Sequence, residues 1–193
     1  MMNKEDVRRD ALKARRSLSA EQVEKLSARI QNVLMVLPEF LKAGVVASYA
    51  AKRDEVQTGR IMRSVLSSGK TLLVPRTDPH SLSLRFCEIR SLDQLAPGYL
   101  GILEPPLTSK AVPLSECQLV VVPVVAWDYA GQRVGYGKGY FDRELRSRGR
   151  AAAVGLAFET QHRDRLPATP SDVPLDIIVT ERRIIRFGGA SGD

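Results

Sequence analysis

Three glycines alternate with bulkier residues at positions 135–139, a stretch called the glycine loop below. Glycine permits positive φ and lets backbone N–H groups approach a ligand closely, so such a loop binds anions. Lys138 and Arg143 add full positive charges suited to phosphate oxygens. Asp142 repels a phosphate directly, but it suits a Mg²⁺ ion that bridges it to phosphate groups. These residue types predict a phosphate site that uses Mg²⁺.

The glycine spacing matches neither of two common nucleotide-binding patterns. The dinucleotide fingerprint spaces its glycines differently, and a P-loop has Ser or Thr directly after its Lys, whereas Gly139 follows Lys138 here. A plain tight turn between a strand and a helix is the alternative interpretation. The charged side chains crowded among the glycines favour a ligand site, because a connector does not need them.

Two elements must position this loop. The apolar run 119–125 before it is typical of a buried strand, and residues 140–147 after it suit a helix that ends near Gly149. The loop would therefore open a helix, whose first N–H groups and positive dipole end attract anions.

A parallel βαβ unit is predicted earlier in the chain. Strand 45–49 is followed by a helix with Thr58 as its cap and by strand 71–74, which stops at Pro75. Glu55 lies in the polar loop after the first of these strands. Open α/β sheets bind ligands at the carboxyl ends of their strands, so we expect Glu55 and the glycine loop to line one crevice.

The other periodic segments complete an α/β domain. Two amphipathic helices are predicted at the start, with Asn3 capping the first and a capping box at 19–22 opening the second. The alternating segment 82–87 predicts an antiparallel strand near an edge, and the apolar segments 151–156 and 177–180 predict two more buried strands.

Composition and length indicate one globular domain. The chain has 193 residues, of which 44% are hydrophobic and 26% charged, so we expect a single domain over 1–193 with a disordered tail at about 188–193. Cys87 and Cys117 lie far apart, and no Cys or His cluster has metal-ligand spacing, which argues against a zinc site or a disulfide framework. The start is charged and no apolar run approaches the roughly 20 residues of a membrane span, so a cytoplasmic protein is predicted.

The net charge of +7 and the pI near 9.7 admit a nucleic-acid-binding protein as an alternative. The basic residues are interleaved with 22 acidic ones, however, and only 6% of residues are aromatic, which leaves few platforms for stacking on bases. An anionic small molecule explains a basic surface equally well. We therefore expect no nucleic-acid partner.

These segments together resemble the 5-formyltetrahydrofolate cyclo-ligase family, also called 5,10-methenyltetrahydrofolate synthetases. The resemblance covers nearly the whole chain, and its most specific part comprises 122–123, 126–128, 131–133 and 135–143. Weaker features agree in order and spacing, namely Lys4, Arg8, 18–19, 55–58, 69–70, Pro75, 101–102, 104–105, Gln161, 172–176 and 179–181.

The resemblance implies a three-layer α/β/α fold with a mostly parallel sheet, like that of ribose-5-phosphate isomerase-like and CoA-transferase-like proteins. It implies these ATP-binding residues: Lys4, Arg8, Arg133, Gly135, Tyr136, Gly137, Lys138, Gly139, Tyr140 and Phe141. The implied folate-binding residues are Ala50, Glu55, Tyr136, Gly137, Lys138, Gly139 and Tyr140. The expected catalytic residues are Lys138 and Arg143, and the expected Mg²⁺ ligands are Asp142 and Asp172.

The resemblance also implies a reaction. ATP would drive the cyclisation of 5-formyltetrahydrofolate, with or without a polyglutamate tail, to 5,10-methenyltetrahydrofolate in a monomeric enzyme that uses Mg²⁺. A folate- or nucleotide-binding regulatory protein without turnover is the alternative. The chain departs from the family pattern at Val124, Trp127 and Ser171, where members usually have Gly, Phe and often His.

Overall fold

Over residues 3–188, which the computed structural model describes, helices and loops cover both faces of a central sheet. The helices are α1 Lys4–Arg16, α2 Ala20–Met35, α3 Pro38–Lys42, α4 Gly59–Ser67 and α5 Tyr140–Leu145. The strands are β1 Val45–Ala47, β2 Thr71–Asp78, β3 Ser83–Ile89, β4 Ala96–Pro97, β5 Leu103–Glu104, β6 Leu119–Pro123, β7 Ala126–Trp127, β8 Arg133–Val134, β9 Ala152–Leu156, β10 Ile177–Val179 and β11 Ile184–Arg186. The tail predicted to be disordered begins at Gly188, and residues 189–193 lie outside the described part.

Seven strands form the central sheet, in the order β11-β10-β9-β6-β1-β2-β3. The inner strands from β10 to β2 are parallel, whereas β11 and β3 pair antiparallel at the two edges. Strands β6, β9 and β10 are almost wholly buried, as expected where both faces of a parallel sheet are covered. The predicted parallel sheet and the antiparallel strand near an edge are confirmed.

The sheet separates two apolar layers. Helices α2 and α4 pack on one face through residues such as Ile30, Leu34 and Ile61. The other face is covered by Leu145 of α5 and by loop residues that include Leu114. This arrangement agrees with the three-layer α/β/α fold, in which the second outer layer here consists of one short helix and ordered loops.

The order in which the chain adds strands to the sheet reverses between β1 and β6. These two strands are adjacent and parallel, with Val46 opposite Leu119. From β1 it continues to β2 on one side, and from β6 it continues to β9 and β10 on the other side. Such a switch point opens a crevice beyond the carboxyl ends of the two strands. The segments that follow β1 and β6 therefore face each other across this crevice.

Helix α1 lies across the loops at this end of the sheet. Its buried residues Val7 and Ala11 pack against Val125, Ala126 and Val134 in and beside the β7–β8 hairpin. The opposite polar side chains of the helix are exposed, as in an ordinary amphipathic helix. This packing brings the positive residues of α1 to the rim of the crevice.

The predicted starts of the first two helices are confirmed, whereas the predicted cap of α4 is wrong. Asn3 accepts hydrogen bonds from the N–H groups of Glu5 and Asp6, and Ser19 and Gln22 form both bonds of a capping box. Thr58 does precede α4, but its hydroxyl donates to Tyr49 O at 2.7 Å and does not cap the helix. The side chain of Gln31 from α2 accepts from the first turn of α4 instead.

The prediction that the second strand stops at Pro75 is wrong, because β2 continues to Asp78. Beyond Leu73 the neighbouring strand β1 has ended, so β2 pairs with β3 alone. The partner of Pro75 is Phe86, whose carbonyl accepts from Val112 on the far side of β3. The N–H that proline lacks therefore falls on the side where β1 no longer pairs, and no ladder bond is lost.

The strand predicted over 119–125 is shorter, and a β7–β8 hairpin separates it from the glycine loop. The sequence contained the turn residues of this hairpin, but its two strands are too short to show an alternating pattern. The helix predicted over 140–147 ends at Leu145. Helix α3 and strand β11 were not predicted.

Candidate functional site

A cavity of about 580 Å³ lies at the switch point between β1 and β6. All the residues predicted for the site line it, namely Lys4, Arg8, Ala50, Glu55, Arg133, Gly135, Tyr136, Gly137, Lys138, Gly139, Tyr140, Phe141, Asp142, Arg143 and Asp172. The structure therefore brings the glycine loop, the segment after β1 and helix α1 to one crevice, as expected. The ATP, folate and metal roles of these residues stay predictions.

The glycine loop has the backbone that only glycine adopts easily. Gly137 has φ +100° and Gly139 has φ +67°, and Gly139 occupies the position just before α5. The guanidinium of Arg8 from α1 lies against the loop, and its Nε donates to the carbonyl of Gly135 at 2.8 Å. A Cβ atom on Gly137 would come within 3.1 Å of Arg8 Cζ. The loop and α1 are thus in direct contact.

We expect Gly137→Ala to impair nucleotide use because a methyl group at this position meets both backbone strain and Arg8. Strain at a positive φ costs about 1–3 kcal/mol, which corresponds to a rise of about tenfold in KM for ATP if the loop shifts to relieve it. Steady-state kinetics at varied ATP would measure the effect. Gly69→Ala is the matched control, since Gly69 also has positive φ but a Cβ there meets nothing within 4 Å.

Both variants should lower the thermal stability, and only Gly137→Ala should change KM for ATP. Equal KM values for the two variants would contradict a nucleotide-binding role for the glycine loop.

The two basic residues predicted to be catalytic differ in their surroundings. The side chain of Lys138 is exposed and lines the cavity. Arg143 instead donates to two backbone carbonyls, Leu82 O at 2.6 Å and Lys138 O at 2.7 Å. Arg143 therefore connects the glycine loop to the turn between β2 and β3. Lys138 instead faces the cavity and is available to a ligand there.

Asp142 is held by a buried arginine. Arg133 Nη2 donates to Asp142 Oδ1 at 2.8 Å, and the N–H of Val173 donates to the same oxygen at 3.1 Å. Oδ2 is therefore the oxygen that can face a ligand. Burial lowers the pKa of Arg133, and the negative charges of Asp142 and Asp172 oppose that effect. A buried arginine with Nε lacking a partner within residues 3–188 is suited to an anionic ligand.

Asp172 binds Lys4 across the mouth of the cavity, with Nζ to Oδ1 at 2.6 Å. Thr169 also donates to Asp172 through its N–H and its hydroxyl. Burial alone would raise the pKa of Asp172, but the hydrogen bonds from Lys4 and Thr169 outweigh it and leave the pKa below its ordinary value. Asp172 is thus ionised at neutral pH and fixes the first turn of α1.

The donor set fits Mg²⁺ that is shared with phosphates. Within residues 3–188, no group of three or more His, Cys, Asp or Glu residues is arranged to hold a metal ion. Mg²⁺ in phosphate-transfer sites commonly takes only one or two carboxylates, together with phosphate oxygens and water. Asp142 has an oxygen available for this, whereas both oxygens of Asp172 already accept hydrogen bonds.

The wall opposite the glycine loop is formed by the segment after β1. Glu55 is only 6% exposed, and it accepts hydrogen bonds from the hydroxyl of Tyr136 at 2.6 Å and from the N–H of Lys52 at 2.7 Å. The Nζ atom of Lys52 lies 4.8 Å from the centre of the Tyr136 ring. Ala50 is buried beside them. A buried carboxylate here can bind the N–H groups of a heterocycle.

Sequence reasoning missed several residues that line the cavity, namely Tyr49, Lys52, Pro75, Thr77, Leu84, Tyr99, Leu100, Ile102, Pro123, Val134, Arg146 and Ser171. Tyr99 and Leu100 belong to the Pro- and Gly-rich connection, which the sequence alone describes only as a loop. Leu100 has φ +54° and is 72% exposed, which is unusual for a leucine. An apolar residue between Gly98 and Gly101 was the available signal.

The three departures from the family pattern lie at and behind the cavity. Val124 is buried, and a Cβ on the facing Gly155 would come within 3.0 Å of it. Trp127 is fully buried beside His162, with ring centroids 4.7 Å apart. Ser171 lines the cavity, and its carbonyl accepts from Arg146. The first two alter packing behind the site, and the third alters its rim.

Among the helices of residues 3–188, none combines the length and apolar character that crossing a membrane requires. This finding agrees with the charged, amphipathic character of α1 and α2.

Known proteins resemble this chain over most of its length. The chain is 30% identical to 5-formyltetrahydrofolate cyclo-ligase of Escherichia coli over 174 residues, which covers 88% of this chain and 96% of that protein. The 5-formyltetrahydrofolate cyclo-ligase of Haemophilus influenzae is also 30% identical, over 184 residues that cover 91% and 97% of the two chains.

Solved structures show the same likeness. The NMR structure of Aquifex aeolicus 5,10-methenyltetrahydrofolate synthetase matches with a TM-score of 0.86 and 34% identity over 100% of this chain and 97% of that chain. A 5,10-methenyltetrahydrofolate synthetase from Mycoplasma pneumoniae, 22% identical, shares the fold with a TM-score of 0.76 over 93% and 99% of the chains. The model of the 5-formyltetrahydrofolate cyclo-ligase family matches residues 1–181, and the chain belongs to that family.

Proposed function

We propose that this chain catalyses the ATP-dependent cyclisation of 5-formyltetrahydrofolate to 5,10-methenyltetrahydrofolate, with release of ADP and phosphate. The observation that carries the proposal is the single cavity lined by both the glycine loop and Glu55, in a chain that belongs to the cyclo-ligase family. A volume of about 580 Å³ falls in the usual range of roughly 300–1,000 Å³ for ligand sites.

The triphosphate of ATP would lie along the side of the cavity where the positive charges gather. Lys4 and Arg8 approach from α1, Arg133 from β8, and Lys138 from the glycine loop. Phosphoryl transfer requires charge neutralisation and in-line placement more than a strong base. Lys138 is the residue best suited to follow the terminal phosphate, because its side chain extends into the cavity from a loop fixed at both ends.

The formyl group of the folate must be activated because its oxygen is a poor leaving group. In the proposed first step this oxygen attacks the γ-phosphorus of ATP, the bond to the β-phosphate oxygen breaks, and ADP leaves. The product is an imidate phosphate on N5. Lys138 neutralises the charge that moves with the transferred phosphate.

Ring closure follows from the activated carbon. N10 attacks this carbon and loses its proton, and the C–O bond to phosphate breaks, so that phosphate departs and the methenyl bridge remains. Glu55 would hold the pterin by accepting hydrogen bonds from its ring N–H groups. The proposed placement of the two substrates brings the γ-phosphate to the formyl oxygen first and N10 to the formyl carbon second.

Mg²⁺ fits beside Asp142, where it would neutralise phosphate oxygens in the manner usual for ATP-dependent enzymes. Asp142 Oδ2 is the proposed ligand atom. Asp172 is proposed as the second acidic residue near the ion, and it also binds Lys4.

We also propose that the protein acts in the cytoplasm, as a monomer, and accepts folates with or without a polyglutamate tail. Cys87 and Cys117 are both buried and free, which is compatible with a reducing compartment. Sedimentation of the purified protein and kinetics with mono- and polyglutamylated substrates would test the last two points.

The proposal predicts that the purified chain forms the methenyl chromophore only when 5-formyltetrahydrofolate, ATP and Mg²⁺ are all present. A spectrophotometric assay with each component omitted in turn would measure this. Binding of ATP or folate without product would instead identify a regulatory binding protein. Strongly salt-dependent binding to oligonucleotides, without affinity for ATP or folate, would identify a nucleic-acid-binding protein.

A further inference from the structure

Arg15 is a buried arginine of α1 that reaches the glycine loop. It is only 2% exposed, and its Nη2 donates to the hydroxyl of Tyr136 at 2.7 Å. The same guanidinium donates to Asp54 through Nε at 3.2 Å and through Nη2 at 2.9 Å. Asp54 is directly followed by Glu55, so one side chain connects the loop after β1 with the glycine loop.

The direction of each hydrogen bond in this chain of contacts is fixed. Arginine can only donate, so the hydroxyl of Tyr136 must accept from Arg15 and direct its own proton elsewhere. Its remaining partner is Glu55 Oε1, at 2.6 Å. Burial and the nearby Glu55 carboxylate raise the pKa of Tyr136, so the hydroxyl keeps its proton at neutral pH. Glu55 therefore accepts a hydrogen bond from the Tyr136 hydroxyl.

The second oxygen of Glu55 accepts from the N–H of Lys52. Both oxygens are then oriented by the protein, one by the backbone and one by the Arg15–Tyr136 pair. Removing Arg15 would leave the oxygen of the Tyr136 hydroxyl without its donor, so the group that donates to Glu55 would lose one of the two hydrogen bonds that hold it. The orientation of Glu55 thus depends on a residue of α1 that does not itself line the cavity.

We propose that Arg15 is a positioning residue that holds Glu55 in its folate-binding orientation through the hydroxyl of Tyr136. This inference rests on the proposed function, because it concerns how the folate-binding carboxylate is prepared. A purely structural role is the competing explanation, in which Arg15 only joins α1 to Asp54.

Helix α1 offers a matched control for the two explanations. Arg16 is next to Arg15 and also approaches Asp54, at 4.0 Å, but its side chain is 70% exposed. In the described part of the chain, the hydrogen bonds of the Tyr136 hydroxyl are with Arg15 and Glu55, not with Arg16. Arg16→Met removes the same charge from the same helix without breaking the link to Glu55. Arg15→Met keeps much of the buried aliphatic volume and removes the donor.

The test is steady-state kinetics with both substrates varied, together with thermal unfolding of each variant. We expect Arg15→Met to raise KM for 5-formyltetrahydrofolate about tenfold, as befits a lost hydrogen bond to a charged group, and to change KM for ATP less than twofold. Tyr136→Phe should have the same effect, and Arg16→Met should behave as wild type. In the Tyr136→Phe background, Arg15→Met should add less than a twofold change, because both break one link.

A normal folate KM in Arg15→Met, or full additivity with Tyr136→Phe, would overturn the inference. If Arg15→Met does not fold, a wild-type folate KM in Tyr136→Phe still overturns the proposal, because the proposed link from Arg15 to Glu55 runs through the Tyr136 hydroxyl. Glu55→Gln serves as the reference. A raised folate KM in Glu55→Gln with none in Arg15→Met refutes only the role of Arg15, whereas absence of turnover in the wild type refutes the proposed function.

Discussion

Lys138→Ala should reduce kcat for methenyl formation by about 100- to 1,000-fold, the usual cost of removing one group that stabilises charge only in the transition state. Lys138 lies between two glycines with its side chain in the cavity, while its own carbonyl accepts from Arg143. The alanine variant keeps that carbonyl, so the loop should remain in place. The loss should therefore appear in kcat more than in KM for the folate.

Two variants control for this prediction. Lys110→Ala removes a positive charge from an exposed site outside the cavity and should leave kcat unchanged. Lys138→Arg keeps the charge but changes its geometry, so its kcat should lie between those of the wild type and Lys138→Ala. A kcat within threefold of the wild type in Lys138→Ala would remove Lys138 from the proposed mechanism.

The sequence predicted the position of the cavity because two local patterns were enough to determine which edge of the sheet carries it. The apolar runs before Glu55 and before the glycine loop indicated parallel strands, and ligands of parallel sheets bind beyond the carboxyl ends. The β7–β8 hairpin between the second strand and the loop was not predicted, yet it did not change which edge the loop occupies. Local patterns were thus enough to locate the cavity, because the inserted hairpin leaves the glycine loop at the same edge of the sheet.

Arg15 could not be assigned from the sequence for a physical reason. Arg9, Lys13 and Arg16 on the same helix are exposed. Helical spacing places Arg15 beside the buried Val7 and Ala11, but a basic residue at the border of an apolar stripe ordinarily extends to solvent. Its burial depends on partners at Asp54 and Tyr136, which are distant in sequence. The same applies to Tyr99 and Leu100, whose place in the cavity wall depends on how a loop folds back over β2.

Helix α1 connects the parts of the site that the sheet alone would leave separate. Lys4 holds Asp172, Arg8 holds the glycine loop, and Arg15 holds Tyr136. Successive helical residues are about 100° apart, so these positions, separated by four and seven residues, fall on nearly the same face. One face of a single helix therefore contacts both the side of the cavity proposed for the phosphates and the side proposed for the folate.

Asp142→Asn should reduce kcat at least about 100-fold at moderate Mg²⁺, because even the outer partners of metal ligands typically matter by about 10- to 100-fold. The half-saturating Mg²⁺ concentration should rise about tenfold or more, since the substitution removes the charge of the proposed ligand oxygen. A titration of activity with Mg²⁺ would measure both effects. Asp164→Asn, at an exposed position outside the cavity, is the control and should show neither.

Asp142 also pairs with the buried Arg133, so a loss of activity has two possible causes that ATP binding can separate. Calorimetry in EDTA reports the protein without metal. If Asp142 holds Mg²⁺, Asp142→Asn should bind ATP in EDTA at least as tightly as the wild type, because a carboxylate near the phosphates repels them. With Mg²⁺ present, the variant should bind ATP more weakly than the wild type. Weaker binding in EDTA would show instead that Asp142 acts by positioning Arg133, and would contradict its assignment as a metal ligand.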